Sequence, residues 1–259
     1  MIVKALLIDL EGTLYYKGEQ IPGAAQALQA FRQRGLLLRF LTNTDSKTPH
    51  IIQPELARMG LTIPTEEIFS PVVALQEFLR CNPTKSCYFL LSDELAGELA
   101  VSTTPREQAD YVVVGDCRAR ISYETLNDAL RCLMNGAELI ALQKGRYFIR
   151  TNGYNLDTGA FVTGLEYASG KTARVLGKPA PDFFNLALRS IDCYPSEVAI
   201  IGDDLTTDII GARQIGATAV LVKTGKFSEA MLAESCIKPD LVATSIADLP
   251  QLLDVLKQP

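Results

Sequence analysis

The apolar run Ile2–Ile8 ends in Asp9, and Glu11 stands two residues on, ahead of Gly12 and Thr13. A carboxylate that closes a buried strand and meets a glycine turn is held at the carboxyl edge of a sheet, where open α/β sheets bind ligands. The spacing suits a nucleophile with an acid–base partner. Two further apolar runs end in polar groups. Leu36–Leu41 leads into Thr42 and Asn43, and Val198–Ile201 leads into Gly202, Asp203 and Asp204, with Asp208 one helical turn on. Gly177–Lys178–Pro179 opens a helix and supplies one ammonium. Parallel strands share one carboxyl edge, so these groups converge although about 200 residues separate the outermost. Together they offer carboxylate oxygens for a hard cation, a hydroxyl and backbone donors for an oxyanion, and a fixed positive charge. Phosphoryl transfer needs such a set: a metal and a lysine to neutralise the equatorial oxygens, and an in-line nucleophile.

The elements that must carry these groups alternate in type. Residues 2–8 read as a buried strand and Pro22–Arg34 as a helix, with Ala24, Ala27, Leu28 and Phe31 on one face and Gly35 as its stop. The strand Leu36–Leu41 follows, then a helix through Met59 and another over Pro71–Leu79. The last third repeats the pattern: helix Ala180–Ile191, strand Val198–Ile201, helix Thr207–Gln214 with Gly216 after it, strand Ala217–Val222, strand Leu241–Val242 and helix Ile246–Leu256. Such alternation predicts right-handed βαβ units and a parallel sheet. The middle third forms its own α/β unit, with strands Tyr111–Gly115 and Leu139–Leu142 and helices Tyr123–Met134 and Gly159–Ala168. The expected architecture is therefore a Rossmann-like parallel-sheet core over 1–80 and 176–259, interrupted by an inserted α/β domain over 81–175. In that insertion Lys144, Arg146 and Tyr147 form a basic–aromatic trio after a strand, open to reading as a substrate contact or as a solvated loop.

Bulk properties narrow the classes. The chain has 259 residues and is 47% hydrophobic, enough for a large core. Its net charge is −5 and no basic stripe is evident, which argues against nucleic acid as a partner. A single histidine, His50, excludes a multi-histidine metal site. The six cysteines show no CxxC spacing and read as reduced thiols of a cytoplasmic protein. No signal-peptide pattern opens the sequence and no run of about 18 apolar residues occurs, so no membrane partner is expected. No G-x-G-x-x-G is present, which disfavours a dinucleotide enzyme.

Asp9-x-Glu11-Gly12-Thr13, Thr42-Asn43, Gly177-Lys178-Pro179 and Gly202-Asp203-Asp204 with Asp208 resemble, in order, the four motifs of the haloacid dehalogenase superfamily. They span nearly the whole chain. The insertion between the second and third resembles the C2-type cap of the NagD-like phosphatases. Thr42-Asn43-Thr44, Gly177-Lys178-Pro179 and Leu221–Gly225 look closest to the branch that includes phospholysine phosphohistidine inorganic pyrophosphate phosphatase. The resemblance implies a Mg²⁺-dependent phosphohydrolase acting on a small phosphorylated compound: a phosphometabolite, pyrophosphate or an N-phosphorylated group. It implies that Asp9 attacks phosphorus to form an aspartyl phosphate. Mg²⁺ would be held by Asp9, the Glu11 carbonyl and Asp203, with Asp204 and Asp208 acting directly or through water. Thr42, Asn43 and Lys178 would hold the phosphoryl group. Glu11 departs from the aspartate that phosphatases of the family usually place here as general acid, and its extra methylene moves the carboxyl by about 1.5 Å, where misplacement near 1 Å costs about 10²-fold. The resemblance also implies a cap that limits access for bulky substrates and allows a homodimer through it. Two alternatives keep the same core: a phosphate- and Mg²⁺-binding regulatory protein with poor turnover, or a phosphoryl transferase.

Overall fold

The computed structural model describes residues 3–99, 108–150 and 153–252. Ile2 and the stretch 253–256 of the expected final helix lie outside the described residues. Contacts divide the chain into two compact units. Met1–Thr42, Pro49–Phe69 and Lys178–Pro259 form the first, and Asn43–Thr48 and Ser70–Gly177 the second.

In the first unit, six strands among the described residues form one parallel sheet. Their order is Leu241–Ala243, Thr218–Val222, Val198–Gly202, Ala5–Asp9, Leu37–Leu41, Ile68–Phe69. Every residue of Ala5–Asp9, Val198–Gly202 and Thr218–Val222 is buried, which explains why these segments read as continuous apolar runs rather than as alternating ones. The chain adds strands to one side of Ala5–Asp9 before the insertion and to the other side after it. The carboxyl end of Ala5–Asp9 is thus the point where strand order reverses, the position at which such sheets open a crevice. Ile8 pairs with Ile201 and Asp9 with Leu41, so Asp9, Thr42 and Asp203 emerge at one edge.

Two helices bring the remaining groups to that edge. Pro181–Arg189 buries Phe183, Phe184, Ala187 and Leu188, and a Cβ on Gly211 of the helix Ile210–Ile215 would lie 2.1 Å from the Phe184 ring. Glycine at 211 therefore lets the two helices approach. Lys178 precedes the first and Asp208 precedes the second. The expected helix Thr207–Gln214 is corrected in its geometry. Residues Leu205–Ile209 wind as a π-helical turn before the α-helix begins. Both Asp208 N and Ile209 N donate to Asp204 O, at 2.9 and 3.3 Å, so the turn is one residue wider than an α-helix. The helix expected from Ile246 starts as a 3₁₀ turn, Ile246–Asp248, and continues over Leu249–Leu252.

In the second unit, strands Arg174–Val175, Glu138–Ala141, Tyr111–Val114 and Cys87–Leu90 form a parallel sheet in that order. Tyr147–Arg150 and Gly153–Leu156 pair antiparallel beside it in sequence, so Tyr147 opens a strand rather than sitting in a loop. The helix Pro71–Arg80 groups with this unit. Its Phe78 packs edge-on against Tyr111 at 5.2 Å and lies 4.9 Å from the Arg174 guanidinium. No helix among the described residues is long and apolar enough to cross a membrane.

Candidate active site

Asp9 is the last residue of the central strand and is 6% exposed. The chain turns sharply after it. Leu10 N donates to Leu41 O at 3.0 Å, Gly12 N to Tyr15 O at 2.7 Å, and Leu14 N to Leu10 O at 2.9 Å. The turn aims Thr13 back at the strand end, where its Oγ1 donates to Asp9 Oδ2 at 3.2 Å. Lys178 Nζ donates to the other oxygen, Asp9 Oδ1, and to Asp208 Oδ1 at 2.8 Å. Oxygens of Asp9, Asp203 and Asp208 lie within 4.8 Å of one another.

Glycines make this convergence sterically possible. A Cβ on Gly202 would lie 2.2 Å from Asp208 Cγ, so the carboxylate of Asp208 rests directly on the strand end. Its Oδ2 accepts from Asp204 N at 3.3 Å. Gly12, at φ 97°, would drive a Cβ to 2.1 Å from Asp203 Oδ2. Asp204 stands apart from the cluster. Its Oδ1 accepts from Thr206 N at 2.8 Å and Thr206 Oγ1 at 2.6 Å, and its Oδ2 pairs with Lys226 Nζ at 3.3 Å.

The electrostatics separate the two adjacent acids. Burial pushes the Asp203 carboxyl up to about 6, with the Asp208 charge adding to it and the Lys226 amide opposing. Burial also raises Asp9 and Asp208, each reinforced by a neighbouring carboxylate and opposed by Lys178. Asp204 moves the other way: against the cost of its burial, the Thr206 hydrogen bonds and the Lys226 charge hold it below its ordinary value. Burial disfavours the Lys178 ammonium, but Asp208 and Asp9 outweigh that and raise its pKa. One ammonium paired with two of three buried carboxylates leaves a negative excess in a water-poor place, which is costly unless offset. An all-oxygen donor set with that excess fits a hard divalent cation, and it offers nothing to a soft one.

The other expected residues fall in several places. Glu11 is exposed, and its backbone bridges to Tyr15. Thr42 is buried, and its N donates to Phe69 O at 3.2 Å. Asn43 groups with the second unit, where its Oδ1 lies 2.9 Å from the position of a Cβ on Gly177. Also in the second unit, Lys144 Nζ pairs with Glu166 at 2.6 Å, exposed Arg146 accepts at its carbonyl from Asp157 N at 3.4 Å, and Tyr147 stacks edge-on against Tyr154 at 5.0 Å. Lys226 was not anticipated at the site. Its only sequence signal is its place directly after Thr224–Gly225 at the end of another parallel strand.

The switch-point position and the carboxylate–ammonium centre define a doubly wound α/β enzyme core. A family model for haloacid dehalogenase-like hydrolases matches residues 6–102, and a second, described as HAD-hydrolase-like, matches 175–249. The chain is 38% identical to haloacid dehalogenase-like hydrolase domain-containing protein 2 of Rattus norvegicus, over 88% of this chain and 87% of that one. It is 33% identical to phospholysine phosphohistidine inorganic pyrophosphate phosphatase of Homo sapiens, over 97% and 94%. The solved structure of NagD from Escherichia coli K-12 matches with a TM-score of 0.88 at 29% identity, covering 96% of this chain and 98% of that one. The chain belongs to the haloacid dehalogenase-like hydrolases, in the NagD-like group.

Proposed function

We propose that this phosphatase is Mg²⁺-dependent and hydrolyses a small phosphorylated compound through a phosphorylated Asp9. The phosphatase class follows from the family and from relatives named as phosphatases. The observation that supports the reading most is the setting of Asp9: a buried carboxylate at the switch point, oriented by Thr13 and bonded to Lys178, with Asp203 and Asp208 in reach. Asp9 attacks phosphorus, so that a carboxylate O–P bond forms as the bond to the leaving oxygen breaks. Glu11 gives its proton to that oxygen. Glu11, now ionised, takes a proton from water, whose oxygen attacks phosphorus and releases Asp9. Lys178 neutralises charge on the transferring group as a fixed ammonium. Asp9, Asp203 and Asp208, with the Glu11 carbonyl, would hold Mg²⁺, which when bound would supply further neutralisation of the equatorial oxygens. We assign choice of substrate to the inserted unit. A phosphometabolite, pyrophosphate or an N-phosphorylated group remains the substrate class, the last two in keeping with the name of the human relative.

Release of p-nitrophenol from p-nitrophenyl phosphate tests the reading. Activity is expected with Mg²⁺ and is expected to vanish with EDTA. Trapping with labelled substrate after acid quench should place phosphate on wild-type protein and none on Asp9→Asn. Glu11→Asp, which restores the shorter acid, is expected to raise kcat. No gain on any substrate would show that Glu11 already reaches the leaving group.

A further inference from the structure

We propose that the loop Lys223–Lys226 is a positioning element for cation binding, which clasps Asp203 against the turn that follows Asp9. This rests on the reading of Asp9, Asp203 and Asp208 as a divalent-cation site. Three contacts carry the inference. Lys226 N donates to Asp203 Oδ2 at 2.6 Å. Thr224 Oγ1 donates to Gly12 O at 2.5 Å, tying the loop to the turn. A Cβ on Gly225 would lie 2.1 Å from Asp203 Oδ2 and 2.4 Å from Gly12 Cα, and a Cβ on Gly12 would meet the same oxygen at 2.1 Å.

The carboxylate of Asp203 is therefore held between two glycines, each at positive φ, and pinned by one amide. No side chain larger than hydrogen fits on either side. Backbone contacts on both sides fix the orientation of Asp203, so cation binding does not have to freeze a free rotamer. Groups that orient a metal ligand typically change affinity by about 10–100-fold when removed. Thr224 acts at one remove: it fixes the loop on Gly12 O, and the loop fixes Asp203.

Mn²⁺ binding to the full-length protein, followed by water-proton relaxation without substrate, tests the clasp independently of turnover. Asp203→Asn serves as the reference for the cation site itself. Gly225→Ala is expected to weaken Mn²⁺ by about tenfold or more, and Thr224→Val by about threefold or more, with melting temperatures measured alongside. Lys223→Ala lies in the same loop, but its ammonium is turned to Glu229 at 2.6 Å, so it should bind Mn²⁺ like the wild type. If Gly225→Ala does not fold, Thr224→Val decides alone. Wild-type Mn²⁺ affinity in folded Thr224→Val, or an equal loss in Lys223→Ala, overturns the clasp. If Asp203→Asn also binds normally, the cation-site reading fails; if it loses Mn²⁺ while the loop variants keep it, only the clasp fails.

Discussion

Each unit buries carboxylates near other acids, three in the first and Asp45 in the second, and the two groups are balanced differently. In the first unit the oxygens of Asp9, Asp203 and Asp208 converge, and one ammonium, that of Lys178, pairs with Asp9 and Asp208. In the second, Asp45 is 7% exposed and accepts from Thr158 Oγ1 at 2.7 Å. Asp157 accepts from Thr158 N at 2.8 Å and from Gln143 Nε2 at 2.7 Å, and Gln143 in turn accepts from Gly145 N. Neutral donors bond these acids, and the Arg118 guanidinium pairs with Asp116 at 2.6 Å. The difference separates two uses of a buried acid. Charges gathered around one ammonium with an excess left over suit a further cation, whereas carboxylates tied up by hydroxyl and amide donors suit a local conformational role.

The most direct way to break this comparison is to neutralise one acid in each cluster. Asp9→Asn removes the proposed nucleophile and should lower kcat on p-nitrophenyl phosphate by about 10³-fold or more. Asp45→Asn should keep kcat within about threefold, because a hydrogen-bonding group of the same shape replaces one whose partner is neutral. Comparable losses in the two variants would show that the second cluster takes part in turnover.

A smaller effect is expected where a glycine admits an acid. Gly202→Ala places a methyl 2.2 Å from Asp208 Cγ, so either the strand end or Asp208 must move, and Lys178 with it. Displacement near 1 Å costs about 10²-fold in kcat, and overpacking costs about 1–3 kcal/mol in stability. Steady-state kinetics and urea unfolding on one preparation check both. Full activity at reduced stability would show that Asp208 is a packing residue only.

Much of this was legible because Asp9, Thr42 and Asp203 sit where apolar runs stop and Lys178 opens a helix. Runs of five buried residues in the strands of Asp9 and Asp203 need both sheet faces covered, and parallel strands then bring their ends together. What was not legible depends on contacts across the chain. Asp203 and Asp204 look equivalent as neighbours in sequence, yet Thr206 and Lys226 claim only the second by side chain. The π turn at Leu205–Ile209 has no compositional mark, and two-residue strands such as Ile68–Phe69 are too short to show a period. The steric role of Gly225 exists only because Asp203 lies across from it. A basic residue such as Lys144 reads the same whether it faces a substrate or Glu166.

The neutral cluster should also betray itself through pH. Burial, helped by Asp157 and Asp116, raises the Asp45 carboxyl from an ordinary 3.8 to about 6 in the fold. A raised carboxyl favours the protonated folded state. Its contribution to stability is complete below about pH 4 and is lost as pH rises through about 6, at most about 3 kcal/mol in all. Asp45→Asn cannot ionise, so it should escape that loss. Urea midpoints at pH 4.5 and 7.5 should show the variant gaining on the wild type at the higher pH. Parallel curves would mean that Asp45 ionises as freely in the fold as in the unfolded chain.

The smallest effect belongs to the surface of the second unit. Lys144 and Glu166 form an ion pair at 2.6 Å whose lysine side chain is 38% exposed. Such pairs contribute about 0–1 kcal/mol, so Lys144→Ala should barely shift the urea midpoint. Its value lies in the kinetics, because the same lysine was a candidate substrate contact. With its ammonium paired to Glu166, removal should leave KM for p-nitrophenyl phosphate unchanged within about twofold. A rise in KM with kcat unchanged would instead mark lost ground-state binding. That result would make Lys144 a substrate contact rather than one half of a surface ion pair.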